Sequence, residues 1–179
     1  MDNKTLRFIS WNVNGLNSRG HEVHYYATKH DVDVILLQET RDRVGDALKL
    51  NGYKKYQLLA NDGIRGLATF VKSSIPSELI EEPYKESGVE SVSVRVHVTE
   101  GSLNVINLYV SANCFDPNVL PNSLFSGVTL VAGDLNARHR ALEKEGNGNM
   151  NGTKVSNIFT GLSRYQAPRL NRCYSHTRR

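Results

Sequence analysis

The 179-residue sequence predicts an α/β sandwich, two stacked sheets with helices packed on their outer faces. Three observations lead there. Short apolar runs of strand length greatly outnumber stretches with a helical period. Several of those runs, "VILLQE" and "VTLVAG" among them, are continuous rather than alternating, as strands covered on both faces are. Helical patterns fall between some of the strands instead of collecting at one end of the chain.

Taken in order, "TLRFIS" alternates polar and apolar residues and runs into "WNVNG", a strand ending at a loop. "HEVHYYATKHDVD" carries a weak helical period, and "VILLQE" follows as a buried strand, so the chain opens with a strand, helix, strand unit. "VGDALKLNGY" predicts a short helix stopped near Asn51-Gly52, with a strand around "KYQLLA" after it. "DGIRG" is a turn and "LATFVKS" the next strand. "SVSVRVHV" alternates strictly and "SLNVINLYV" less cleanly, and with "TEG" between them they predict a hairpin. Pro117 and Pro121 break up "SANCFDPNVLPNSLFSG", a loop. "VTLVAG" is the last clear strand and "TKVSNIFTGL" the last helix, and weak strand character remains around "CYSH". No internal repeat or linker marks a second domain, so residues 1–179 are expected to form one unit.

Hydrophobic residues make up 39% and charged residues 22%, which excludes a disordered or fibrous chain. No apolar stretch approaches the roughly 18 residues that span a bilayer. "MDNKTLRFIS" lacks the apolar segment of a secretory signal, so a nuclear or cytosolic location without membrane attachment is expected. Cys114 and Cys173 have no zinc-like spacing and are expected as reduced thiols. The net charge of +4 is mild, but no acidic residue follows Glu145, whereas Lys154, Arg164, Arg169, Arg172, Arg178 and Arg179 do. Such a run serves a solvated face, or contact with a polyanion.

Three apolar strands end in the same manner. "FISWNVNG" delivers Asn12 and Asn14, "VILLQET" delivers Gln38 and Glu39, and "VTLVAGDLN" delivers Asp134 and Asn136. A fourth, "VINLYVS", places Tyr109 near its end. Taken singly, Asn12, Asn14, Asp134 and Asn136 are ordinary turn residues, Glu39-Thr40 an ordinary strand exit and Tyr109 an ordinary packed aromatic. Together, at neighbouring strand ends, they gather carboxylates and amides on one edge of the sandwich. Glu39 and Asp134 offer hard anionic oxygens without sulfur or a histidine cluster, which suits Mg²⁺ or Mn²⁺ rather than zinc. Amides beside them orient or ligate without adding negative charge, so a phosphate is still able to enter.

"WNVNGL", "LLQET", "RGLATFVK", "INLYVS" and "GDLNARH" resemble, in order and spacing, the motifs of the endonuclease/exonuclease/phosphatase superfamily. The likeness is greatest to the endonuclease domains of non-LTR retrotransposons, relatives of the AP endonucleases, through "GDLNARH" and "NMNGTKVSNIF". It implies a DNase I-like four-layered α/β sandwich. It also implies a metal-dependent phosphodiesterase that nicks DNA, leaving a 3′-hydroxyl for reverse transcription, within a larger retroelement polyprotein. By that resemblance Glu39 and Asn12 match the Mg²⁺ site, and Tyr109 a tyrosine contacting the scissile phosphate. Asp134 matches the aspartate that orients or deprotonates the attacking water, and Asn136 the amide that holds the phosphate. Arg138, His139 and Asn149 fall in positions implying nucleic-acid contact, a structural role for His139 being equally open. Asn14 stands where many relatives carry an aspartate, so that charge is absent.

Relatives continue beyond the "YSHTRR" region with a strand bearing an Ile-Asp pair and finish in Ser-Asp-His, a tripeptide that occurs nowhere in these 179 residues. An incomplete second sheet is therefore expected. Two readings stay open: a DNA-nicking endonuclease domain, and a truncated, inactive copy that at most binds nucleic acid. A phosphatase acting on a lipid or small-molecule phosphate is disfavoured by the "GDLNARH" form and the basic balance.

Overall fold

The computed structural model describes residues 5–43, 48–60, 64–86, 88–116, 127–139 and 147–162. The first sheet has the order β1-β2-β4-β3, from β1 (Phe8–Asn12), β2 (Val34–Gln38), β3 (Tyr53–Leu58) and β4 (Leu67–Lys72). β1 and β2 are parallel, joined through helix α1 (Leu16–Lys29), and the other pairs are antiparallel. The second sheet is built on the long hairpin of β7 (Val89–Val98) and β8 (Gly101–Val110). β9 (Thr129–Asp134) lies parallel to β8, while β5 (Ser77–Leu79) and β6 (Tyr84–Glu86) pair with different stretches of β7. Helix α2 (Met150–Leu162) closes the described chain.

The continuous apolar runs are strands with two covered faces. In β2, Val34 and Leu36 pack between the sheets with Val92, Val94 and Val105 of β7 and β8. Ile35 and Leu37 face the other way, against Val23 and Ala27 of α1. A buried side chain of this size contributes about 1.5–3 kcal/mol relative to an exposed one, so alternate residues of β2 each stabilise a different interface. α1 presents Leu16, Gly20, Val23 and Ala27 as its buried stripe, the helical spacing of an amphipathic helix. On the far side Val155 of α2 packs against Val89, Leu108 and Val110. The layers thus run helix, sheet, sheet, helix, as the α/β sandwich requires.

Several local expectations shift. α1 begins at Leu16 rather than near His21, and it stops at Lys29 because Asp31 adopts a left-handed φ of 48° and Val32 N folds back to donate to Ala27 O (2.9 Å). Residues 48–50, expected in a short helix, are irregular: Leu48 and Leu50 turn inward onto the α1 face of the first sheet. Residues 44–47, the start of that expected helix, lie outside the described residues, as do Pro117, Pro121, Cys173 and the weak strand around residues 173–176. Cys114 is a free, exposed thiol. Among the described residues no helix is long and apolar enough to cross a membrane.

One polar group is buried between the sheets. Asn107, fully buried in β8, aims its Nδ2 at Leu37 O (3.1 Å), Ala68 O (3.1 Å) and Thr69 Oγ1 (3.3 Å) of the first sheet. Its Oδ1 accepts from Gln38 Nε2 (2.8 Å). Replacing Asn107 by alanine removes these bonds and strands a buried amide. The Asn107→Ala chain is expected to lose about 1–3 kcal/mol of stability, read from the urea midpoint.

Candidate active site

The polar strand ends meet. β1 ends at Asn12, β2 hands over to Glu39, β9 ends at Asp134, and Tyr109 lies opposite Asp134 in the β8–β9 ladder. Asn12 joins the two sheets: its Nδ2 donates to Glu39 Oε1 (2.9 Å) and to Asp134 Oδ2 (2.8 Å). A single amide therefore spans carboxylates 95 positions apart in sequence (134 − 39 = 95). Asn12 Oδ1 accepts from Asn14 N (3.2 Å), so the residue makes the turn its sequence suggests and bridges the site as well.

Each carboxylate is held by its own segment. Asp134 Oδ1 accepts from Asn136 N (3.0 Å), so both of its oxygens are oriented. Gly133, with φ 149°, lets the end of β9 lie close against β8: a Cβ there would lie 1.8 Å from Leu108 O. Glu39 has a left-handed φ of 52°, unusual for a residue with a side chain. Gly15 N donates to Glu39 O (2.8 Å) and Leu16 N to Thr40 O (2.8 Å), so the first amides of α1 are satisfied by the Glu39 loop. On the other side Lys55 Nζ pairs with buried Asp42 Oδ2 (2.7 Å).

Tyr109 is buried, with Glu39 and Asp134 close enough for their charges to act on its hydroxyl. Burial raises its pKa, the charges of Glu39 and Asp134 raise it further, and nearby Arg65 opposes them. At neutral pH the phenol is therefore protonated and available as a donor. Asn136, φ 45°, donates through Nδ2 to Val110 O (2.8 Å), leaving one amide hydrogen for a ligand.

Asn149 acts on the backbone. It caps α2 by accepting from Gly152 N (2.8 Å), accepts from Arg138 N (2.9 Å), and donates through Nδ2 to Asn136 O (2.7 Å). Fully buried Asn151 adds bonds from Nδ2 to Ser111 O (3.0 Å) and Leu135 O (2.9 Å). The Arg138 side chain is exposed beside this loop and His139 is half-buried.

Sequence reasoning missed Arg41 and Arg65. Arg41 donates to Asn14 Oδ1, and its Nη2 lies 3.8 Å from Glu39 Oε2, so a guanidinium stands beside both residues. Arg65 sits in the adjoining turn, where Arg41 N donates to Arg65 O (2.8 Å). The only signal was a basic residue just past the end of β2 for Arg41, and a basic turn residue just before β4 for Arg65. The inter-sheet Asn107 stands out as an amide inside the otherwise apolar run "VINLYV", whereas Asn151 has no such mark.

The hard oxygens are those of two carboxylates, Glu39 and Asp134, with the Asn136 amide beside them, while Asn12 turns its Nδ2 to both carboxylates and its Oδ1 to Asn14 N. Among the described residues no group of three or more His, Cys, Asp or Glu side chains is gathered. That set fits a cation such as Mg²⁺, which keeps its waters and takes oxygens from a bound phosphate, and does not suit a closed zinc site.

A family model for the endonuclease/exonuclease/phosphatase family matches residues 9–153. The chain belongs to that family. It is 28% identical over 148 residues to the probable RNA-directed DNA polymerase from transposon BS of Drosophila melanogaster, covering 75% of this chain and 16% of that protein. The endonuclease domain of TRAS1, a telomere-specific non-LTR retrotransposon, is similar in fold with a TM-score of 0.64 at 16% identity, over 88% of this chain and 72% of that one. An AP endonuclease from Leishmania major gives 0.61 at 18% identity, over 89% and 66%. The resemblance read from the strand-end motifs holds, and with it the DNase I-like α/β fold.

Two outcomes follow for this endonuclease/exonuclease/phosphatase domain. Asn149→Ala is expected to lose about 1–2 kcal/mol in urea, a cap's worth, and to speed hydrogen exchange at the Arg138 amide. Glu39→Gln removes a negative charge beside Tyr109. It is expected to bring that phenol's titration to lower pH while burial keeps it above 10.0, the ordinary tyrosine value. ¹³C-tyrosine NMR, assigned with Tyr109→Phe, reads the shift.

Proposed function

We propose that this chain is the DNA-nicking endonuclease domain of a larger non-LTR retroelement polyprotein, hydrolysing a phosphodiester with Mg²⁺, or Mn²⁺ in its place. The observation that carries the reading is the Asn12 amide held between Glu39 and Asp134, with Tyr109 and Asn136 on the same edge. The relatives support it: a transposon polymerase and a retrotransposon endonuclease domain. The chain spans 16% of the former, so reverse transcription belongs to parts this chain does not supply.

Glu39 would hold the ion, with the Asn12 amide orienting its carboxylate, and the ion would supply positive charge to the phosphoryl and leaving oxygens. Asp134, its two oxygens oriented by Asn12 and Asn136, points a lone pair at the attacking water and takes its proton. The free hydrogen on Asn136 Nδ2 and the Tyr109 hydroxyl donate to non-bridging oxygens, fixing the phosphate in line with the water. Arg41, exposed at the rim, and Arg65 add charge for a polyanionic strand. Asn149 serves the same loop as a positioning residue, while Arg138 and His139 extend the basic rim toward the DNA backbone.

The test is conversion of supercoiled plasmid to nicked circle. The purified chain is expected to nick with Mg²⁺ and to stop with EDTA, and Glu39→Ala and Asp134→Ala are each expected to lose about 10²–10⁴-fold in rate. A well-folded chain that retards plasmid in a gel but never nicks it would establish the alternative, a domain that binds nucleic acid without cleaving. Hydrolysis of inositol phosphates with DNA left intact would move the assignment to a phosphatase.

A further inference from the structure

Glu90 is fully buried, yet it is a carboxylate and lies outside every motif quoted above. It stands in a cross-strand row: Lys85 of β6 faces Glu90 of β7, Glu90 faces Tyr109 of β8, and Tyr109 faces Asp134 of β9. Residues directly opposite in neighbouring strands share a face, so the row runs straight to the active edge. Lys85 Nζ is 3.1 Å from Glu90 Oε1. The other oxygen, Oε2, accepts from Gly66 N (3.0 Å).

That bond reaches Glu39 by short steps. Gly66 O accepts from Thr40 N (3.1 Å), and Arg65 O accepts from Arg41 N (2.8 Å). The segment they hold is strained at Glu39, Arg41 and Arg65, with φ of 52°, 55° and 74°, and turns through Gly66 at φ 86°. Gly66 is confined as well, since a Cβ there would lie 2.9 Å from Thr40 Oγ1 and 3.1 Å from Leu58 O. Left-handed conformations at residues with side chains persist only where the surroundings over-determine them. A buried charge accepting a backbone N–H supplies a stronger bond than a neutral acceptor.

We propose that Glu90, backed by Lys85, is a positioning residue of the metal site. Through Gly66 it fixes the left-handed loop that aims Glu39. The inference rests on the reading of Glu39 as the metal-holding carboxylate. An ion pair kept only for stability would need neither a route to Glu39 nor a backbone N–H as its second partner. Apolar residues of similar volume often replace such a pair without loss of stability.

The test is Mn²⁺ binding by the folded chain, followed by the EPR signal of free Mn²⁺, so that activity is not the readout. Two variants remove the acceptor: Glu90→Ser, and the double change Lys85→Met with Glu90→Leu, which leaves no orphan charge if the first fails to fold. Each is expected to weaken Mn²⁺ about tenfold or more, in the range seen when residues supporting a ligand are removed. Glu90→Gln keeps an oxygen for Gly66 N and is expected to stay within about threefold of wild type. Glu39→Ala is the control. If Glu39→Ala loses Mn²⁺ while the acceptor-less variants, folded by circular dichroism, bind as wild type does, Glu90 is no more than a structural ion pair. If Glu39→Ala itself binds normally, the metal reading fails first and this inference fails with it.

Discussion

The alignment of the two sheets depends on the buried contact between Gln38 and Asn107. A sandwich of aliphatic strands has no strong preference for how far one sheet slides along the other, because apolar packing is not directional. Asn107 removes that freedom. Its amide must find Leu37 O, Ala68 O or Thr69 Oγ1, and its carbonyl must find Gln38 Nε2. A slip of one residue would strand these groups at a cost of about 1–3 kcal/mol each. Gln38 immediately precedes Glu39, and Asn107 is two residues before Tyr109 on the same face of β8. The contact that registers the core thus also registers the edge where Asn12, Glu39, Tyr109 and Asp134 meet. Asn12 completes the alignment at the surface by reaching both carboxylates from β1.

Backbone strain collects at that edge. Asn14, Glu39, Arg41, Arg65 and Asn136 all have left-handed φ. Asparagine tolerates this region, but glutamate and arginine do so at a cost of about 1–3 kcal/mol each. The offset is visible in the hydrogen bonds: Gly15 N, Leu16 N, Thr40 N and Arg41 N are all used to clasp the loops together. A side chain leaving a strand in the left-handed conformation turns away from the pleat, which carries Glu39 out of the β2 ladder and toward Asn12.

The site was legible where chemistry interrupts an apolar run. Asn12, Glu39, Tyr109, Asp134 and Asn136 each follow or end such a run, and the strands that carry them are long enough to show their character. Other features left no such mark. β5 and β6 are three residues each, too short for a period, and are defined only by pairing with β7. The start of α1 was hidden because "LNSRG" holds turn-favouring residues, and tertiary burial of Leu16 overrides them. Glu90 and Arg65 act through backbone groups of another loop, and nothing local to either residue encodes that. Asn149 was read as a contact to nucleic acid, and its side chain also ties together the backbone of the Asn136–Arg138 loop.

The charges at the edge suggest why arginine rather than aspartate neighbours Asn14. Glu39 and Asp134 contribute two negative charges, Arg41 and Arg65 two positive ones, so these four side chains sum to zero. With an aspartate at position 14 and no arginine at 41, the same edge would carry a net charge of −2 from three carboxylates and Arg65. On the proposed reading a divalent cation then leaves the present edge at +2 rather than neutral. A phosphodiester strand approaching it meets attraction that does not depend on base sequence. Arg41 is half exposed, so its share of that attraction is screened by salt, whereas the part-buried hydrogen bonds that orient Asp134 are screened less. Binding of the strand should therefore weaken with ionic strength while the geometry that positions water and phosphate does not. The division matches the layout of the molecule, with exposed charge at the rim and registered hydrogen bonds beneath it.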